Sequence, residues 1–116
     1  MIGHLVVLLD GVPSGSMPLN DGDALTLGRA PECNIRIRVS SVSKLSARLI
    51  GEGTTAYFVN ETSTNPAILT RSGVVLPTPQ STPIHLEQGD SLRFATRDFL
   101  FEYGAWHTTW RGGAYF

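Results

Sequence analysis

The sequence predicts an all-β domain, a sandwich of two sheets built from many short strands. Its 116 residues include twelve glycines and seven prolines, and only 16% are charged, which fits strands and tight turns better than a helical bundle. Hydrophobic residues recur with a period of two, and no window favours a long amphipathic helix. With 41% hydrophobic residues, one domain of this length can close a core without metals or cross-links.

The first predicted strand lies in MIGHLVVLLDG, residues 1–11. This apolar run has no cationic leader and is too short for a signal peptide core or a membrane span. ALTLG follows at 24–28. NIRIRV, residues 34–39, alternates apolar side chains with arginines, so one face is predicted to be buried and the other cationic. SARL, residues 46–49, alternates in the same manner.

The second half of the chain contains short apolar or alternating segments separated by turn signals, GEG at 51–53, SG at 72–73 and GD at 89–90. The predicted strands there are TAYFVN, AILT, VVL, PIHL, DSLRFA and DFLFEYG. Many short strands at near-regular spacing predict two packed sheets with loops gathered at both ends of the sandwich. Binding residues are expected on those loops.

We expect residues 1–104 to form the domain and residues 105–116 to be a C-terminal extension. The extension, AWHTTWRGGAYF, is too apolar for a free tail, so it either packs on the sandwich or begins a linker. A second hypothesis is that its aromatic residues promote self-association.

Composition excludes several classes of function. A net charge of −1 argues against direct nucleic-acid binding and against a membrane-surface protein, since both would spread positive charge widely. Cys33 is the single cysteine, so no intrachain disulfide can form, and a reducing compartment is expected. The histidines show no metal-ligand spacing. Gly-x-Ser-x-Gly, zinc and Walker motifs are absent from the sequence, so we expect no catalytic residue, no metal and no cofactor.

A cluster of basic and hydroxyl residues suggests an anion site instead. Gly28 ends a predicted strand, where the missing Cβ allows a close turn, and Arg29 follows at the end of the sheet. A guanidinium there can donate two parallel hydrogen bonds to a phosphate. Ser43 and Lys44, predicted to open the next strand, add a hydroxyl, a backbone N–H and an ammonium charge.

A third loop, ETSTNPA at 61–67, contributes Thr64 and Asn65. The asparagine side chain has both a donor and an acceptor, so it can bond the backbone of an extended peptide. Taken one at a time, each of these short motifs is more often an ordinary turn. Their joint occurrence predicts a phosphopeptide site.

In order and spacing, Gly28-Arg29, Ser43 and Ser63-Thr64-Asn65 resemble the forkhead-associated (FHA) domain. The resemblance covers about residues 3 to 104 and implies an eleven-stranded β-sandwich that recognises phosphothreonine. By similarity, Arg29 and Ser43 hold the phosphate and Asn65 holds the peptide backbone, with Lys44 and Thr64 as further contacts. The implied partner is a phosphothreonine-containing protein or peptide.

Two positions depart from the family pattern. Ser46 stands where most members have a histidine that braces the loop, and its smaller hydroxyl can hydrogen-bond locally without filling the same space. We therefore expect Gly28 and Ser46 to give structural support, with a looser loop. Pro66 replaces the usual glycine and is predicted to push Asn65 into an extended conformation. One alternative stays open: an FHA-like module that has lost phosphate binding and acts in structure or dimerisation.

The cellular context follows only from the resemblance. The segments GRAPECNIRI, VSK and STNP are most similar to a nuclear member of the family that coats mitotic chromosomes. This implies a nuclear, chromosomal location, with the cytoplasm as the alternative. It also implies that the chain is the N-terminal domain of a larger scaffold or signalling protein.

Overall fold

The computed structural model describes residues 1–104, which form eleven strands in two sheets. The strands are β1 (Gly3–Leu9), β2 (Val12–Leu19), β3 (Ala24–Gly28), β4 (Ile35–Arg36), β5 (Ala47–Glu52), β6 (Thr55–Asn60), β7 (Ile68–Arg71), β8 (Val74–Leu76), β9 (Pro83–His85), β10 (Ser91–Phe94) and β11 (Arg97–Tyr103). The predicted all-β sandwich of antiparallel and mixed sheets is confirmed. The predicted extension at 105–116 lies outside the described residues.

The six-stranded sheet has the order β2-β1-β11-β10-β7-β8, and the five-stranded sheet has the order β4-β3-β5-β6-β9. Neighbouring strands pair antiparallel, except that β3 and β4 run parallel. Inward-facing side chains of both sheets fill one core, whose largest fully buried members are Phe58, Phe94 and Phe101. This core is the rigid base from which the loops project.

Two strands differ from the prediction. β2, VPSGSMPL, was not predicted from the sequence, because its prolines and glycine are poor strand formers. An edge strand tolerates them, since one side needs no partner. β4 is shorter than the predicted run, with only Ile35 and Arg36 in the strand. Beyond the strand, Ile37 N donates to Gly28 O at 2.7 Å, and the Ile37 side chain is buried.

An ion pair between the partly buried Arg71 and the buried Asp90 ties β7 to the turn before β10. The Arg71 guanidinium meets the Asp90 carboxylate twice, from Nε at 2.9 Å and from an amino group at 2.8 Å. Glu87 N also donates to Asp90, and the Arg71 guanidinium contacts the Glu87 carboxylate at 3.0 Å. The hydrogen bonds that Arg71 donates to Asp90, together with the negative charges of Asp90 and Glu87, raise the pKa of Arg71. Arg71 therefore remains charged and links β7 to the residues before β10.

Two features are absent from residues 1–104. No helix in that part of the chain is long and apolar enough to cross a membrane. The same residues hold no group of three or more His, Cys, Asp or Glu side chains that could coordinate a metal ion.

Candidate functional site

The candidate site begins where β3 and β5 approach each other at Gly28. A Cβ at this position would collide with the carbonyl group of Lys44, whose carbon would lie 2.8 Å away. Beyond this close contact, Arg29 N donates to Ser43 O at 3.0 Å and Ala30 N donates to Lys44 O at 3.1 Å. Glycine thus lets two site loops lie side by side.

We expect Gly28→Ala to lower the free energy of unfolding by about 1 to 3 kcal/mol, because the added methyl group has no space beside the Lys44 backbone. Urea unfolding measures this change. Gly15→Ala is the matched control, since a Cβ at Gly15 would meet nothing within 4 Å. Equal stability of the two variants would show that the close approach at Gly28 is not required.

A hydrogen bond to the backbone fixes the orientation of the Arg29 guanidinium. Its Nε donates to Val42 O at 2.9 Å, so the side chain is fastened to the β4–β5 loop, residues 37–46. Its backbone carbonyl accepts a hydrogen bond from Arg36 Nε at 3.1 Å. Within residues 1–104 the two terminal amino groups of Arg29 make no hydrogen bond, which leaves the forked end of the guanidinium available to a ligand.

Ser43 connects this loop to the β6–β7 loop, residues 61–67. Its Oγ lies 3.1 Å from Thr64 O and donates to it, and 2.9 Å from Thr62 Oγ1. Thr62 Oγ1 also accepts from Thr64 N at 3.0 Å. The amide N–H groups of Ser43 and Lys44 have no acceptor within the described chain. The predicted residues Arg29, Ser43 and Thr64 therefore lie on three loops that hydrogen bonds hold together.

Asn65 lies in the same loop cluster, and its Nδ2 donates to Ser41 O at 3.2 Å. The predicted extended conformation before Pro66 is wrong. Asn65 has a φ of 50°, in the left-handed region that asparagine tolerates better than most residues. The hydrogen bond to Ser41, on the neighbouring β4–β5 loop, helps to hold this conformation against the preference that proline imposes on the preceding residue.

Lys44 and Ser46 do not lie in a strand, because β5 begins at Ala47. The Lys44 side chain is exposed, as an ammonium group for a ligand should be. Ser46 is 0% exposed, and its Oγ has no hydrogen-bond partner among residues 1–104. The expected local hydrogen bond from the Ser46 hydroxyl is therefore wrong. The residue supports the loop through its backbone, with Ser46 N donating to Leu27 O and Ser46 O accepting from Glu61 N.

We expect Ser46→Ala to leave the free energy of unfolding unchanged or to raise it by up to about 1 kcal/mol, because the lost hydroxyl is desolvated without a partner. Thermal or urea unfolding checks this. Thr62→Val is the informative comparison, since the Thr62 hydroxyl bridges Ser43 and Thr64 and its loss should destabilise the protein. Clear destabilisation by Ser46→Ala would instead mean that the hydroxyl binds a buried water molecule.

Two buried polar residues of the site were not identified from the sequence. Thr62 is 9% exposed and Asn60 is 4% exposed. Asn60 Oδ1 accepts from Thr62 N at 3.1 Å, and Asn60 Nδ2 donates to Thr78 O at 3.0 Å in the β8–β9 loop, residues 77–82. The sequence indicates this role only weakly. Asn60 is a polar residue at the end of an apolar strand, and polar residues are common at strand ends.

The positive charge beside these loops is not neutralised locally. Arg48, farther along β5, pairs with Glu61 at 2.9 Å. By contrast, four basic side chains on or next to the loops have no carboxylate partner within residues 1–104: Arg29, Arg36, Arg38 and Lys44. Unpaired cations on neighbouring loops favour an anionic ligand.

Fold and site together define a β-sandwich domain with a cationic surface built by its loops. The chain belongs to the FHA domain family, whose family model matches residues 25–95. It is also 32% identical over 102 residues to the mouse (Mus musculus) proliferation marker protein Ki-67. That match covers 87% of this chain but only 3% of the length of Ki-67. The resemblance to the proliferation-marker protein, which the motifs indicated, is confirmed by this sequence identity.

Solved structures of FHA domains share the fold. A crystal structure of the MEK1 FHA domain in complex with a HOP1 phosphothreonine peptide is similar with a TM-score of 0.70 and 17% sequence identity, over 90% of this chain and 98% of that chain. The N-terminal FHA domain of S. cerevisiae Rad53p in complex with a phosphothreonine peptide gives a TM-score of 0.69 and 16% identity, over 90% and 94%. At these identities the similarity establishes the sandwich fold.

Proposed function

We propose that the chain is a phosphothreonine-dependent interaction module and not an enzyme. The observation that carries the proposal is the hydrogen-bonded meeting of three loops, which brings Arg29, Ser43 and Thr64 to one place beside unpaired positive charge. The MEK1 and Rad53p relatives, whose structures contain phosphothreonine peptides, support the same class of ligand.

In the proposed complex, Arg29 donates two charge-assisted hydrogen bonds from its terminal amino groups to the phosphate. Lys44 adds a point charge, and the amides of Ser43 and Lys44 are further donors. Asn65 exchanges its bond to Ser41 for bonds to the peptide backbone. The side chains of Arg29 and Ser43 thus share one phosphate, with Asn65 holding the chain that carries it.

To donate to the phosphate, the Ser43 hydroxyl has to redirect its proton. In the free domain its hydroxyl donates to Thr64 O, and one hydroxyl has one proton to give. Thr62 Oγ1 lies 3.4 Å from the same carbonyl and can donate to it once Ser43 turns to the phosphate. Ser43 therefore satisfies the Thr64 carbonyl in the free domain and Thr62 satisfies it in the complex, which lowers the cost of binding.

A titration with phosphothreonine peptides beside the same unphosphorylated peptides tests the proposal. We expect micromolar binding, since a few charge-assisted hydrogen bonds of about 1.5 to 3 kcal/mol each must offset an association cost of about 4 to 15 kcal/mol. Binding should require the phosphate. Equal binding of both peptide sets, or none, would favour the second candidate: a module that has lost phosphate binding. The unpartnered Ser46 hydroxyl is the observation behind that alternative.

The proposal also covers the parent protein and the cellular location of the domain. Residues 1–104 form the recognition domain of a larger scaffold or signalling protein, and its similarity to a short part of Ki-67 favours a nuclear location. Micromolar recognition gains specificity from other domains on one scaffold, because linked sites raise the effective concentration of the partner. Fractionation of cells that express the full-length protein tests the location.

A further inference from the structure

The outer face of the six-stranded sheet carries a buried residue, Val6. Its strand neighbours Leu5 and Val7 pack in or against the core cluster, so the alternation of a strand points Val6 to the opposite face. Val6 is nevertheless 0% exposed. Its register continues across the sheet through Leu100 to Val75, which lies at the sheet edge and is 64% exposed. Part of the outer face around Val6 is therefore covered.

His4 shows which way the chain leaves the last strand. It lies two residues before Val6, on the same face, and is only 8% exposed. Its Nδ1 donates to Gly104 O at 2.8 Å, and Gly104 N donates to Ile2 O at 2.8 Å. Gly104 has a φ of 75°, so the backbone turns at this residue. The chain therefore leaves β11 beside His4, at the border of the covered area.

The segment that follows Gly104 has the composition to cover an apolar face. Residues 105–116, AWHTTWRGGAYF, include the aromatic residues Trp106, Trp110, Tyr115 and Phe116. Trp106 is two residues beyond Gly104, which is at most about 7 Å of extended chain. Val6 is likewise two residues, about 7 Å, from His4 along β1. The indole ring of Trp106 can therefore reach Val6.

We propose that residues 105–116 fold back onto the outer face of the six-stranded sheet, with the Trp106 ring packed on Val6 and Leu100. The aliphatic surface of Val6 and Leu100 favours an aromatic ring over water, because apolar area is removed from solvent on both sides of the contact. The folded unit then extends beyond Gly104. This part of the outer face is closed to partner proteins, which leaves recognition to the loops.

The contact is independent of the proposed phosphopeptide function. Ile68 directly follows the β6–β7 loop of the candidate site and is in register with Leu8. Leu8 is near one end of β1, and Gly104 lies beside the other end, at His4. The two regions are therefore at opposite ends of the sheet, and failure of one proposal leaves the other standing.

Tryptophan fluorescence of the full chain tests the fold-back, since Trp106 and Trp110 are the two tryptophans of the sequence. In Trp110→Phe protein only Trp106 reports. We expect its emission at shorter wavelength, and weaker quenching by acrylamide, than in the same protein unfolded in guanidinium chloride. Emission equal to that of the unfolded protein overturns the proposal. So does a shift that appears only at concentrations where sedimentation shows a dimer, because a second copy is then the cover.

A double-mutant cycle locates the contact. Val6→Ala and Trp106→Ala should each raise the unfolding equilibrium constant, and the double variant should fall short of the product of the two effects by at least about twofold. Val75→Ala with Trp106→Ala is the control pair. Their effects should multiply, because Val75 lies four strand spacings, about 19 Å, from Val6. Multiplying effects in the Val6 pair, or equal coupling in both pairs, overturn the proposal; Leu100→Ala takes the place of Val6→Ala if that variant does not fold.

Discussion

Arg29→Ala is expected to weaken binding of a phosphothreonine peptide by at least about 2 kcal/mol, roughly thirtyfold, while the unfolding transition changes little. The guanidinium is fastened through Nε to Val42 O, and its terminal amino groups have no partner within residues 1–104. Truncation therefore removes the forked charged donor from the proposed phosphate site. Isothermal titration calorimetry of wild type and variant measures the difference.

Arg93→Ala is the matched control for loss of one positive charge. Its side chain is 52% exposed and pairs with Asp98 at 3.1 Å, so its charge is already neutralised; its Cα lies opposite Ile68 of β7 in the six-stranded sheet. It should change affinity by less than about threefold, through long-range charge alone. If Arg29→Ala does no more than Arg93→Ala, Arg29 does not contact the phosphate.

Arg71→Met should lower the free energy of unfolding by about 3 to 5 kcal/mol, the largest effect on stability that we expect. Asp90 has a side chain only 1% exposed, and without Arg71 its carboxylate keeps a single hydrogen-bond donor among residues 1–104, Glu87 N. Removing one partner of a buried pair leaves a charge that neither water nor a counter-ion stabilises. Urea unfolding at neutral pH gives the magnitude.

The double variant Arg71→Met/Asp90→Leu separates the cost of the unpaired Asp90 carboxylate from the loss of the Arg71 contacts. It should recover a large part of the stability, since replacing both partners by apolar groups is often near neutral. Arg93→Met, which breaks an exposed pair, should cost no more than about 1 kcal/mol. A small effect of Arg71→Met would mean that Asp90 is solvated in the folded state.

The alternation of apolar residues predicted most of the fold, because strand faces are decided locally by which side chains avoid water. Ile35, Leu49 and Phe58 all face the core cluster as a period of two requires. β2 could not be predicted in this way. Its Pro13 and Pro18 argue against a strand in a local reading, and only its position at a sheet edge makes them acceptable.

The candidate site was predicted in part. The joint occurrence of three short motifs indicated Arg29, Ser43 and Asn65, although each motif alone is more often an ordinary turn. The positions of the hydrogen bonds could not be predicted, since they depend on how three loops distant in sequence pack together. Thr62 shows this: its hydroxyl bridges Ser43 and Thr64, and nothing near it in the sequence marks that role.

A crystal structure of the domain with a phosphothreonine peptide tests the central claim most directly. The account predicts one phosphate with oxygens within about 3 Å of both the Arg29 terminal amino groups and Ser43 Oγ. It also predicts that Thr62 Oγ1 then donates to Thr64 O in place of Ser43. A phosphate bound away from Arg29, or a Ser43 hydroxyl still bonded to Thr64 O beside a bound phosphate, would contradict it.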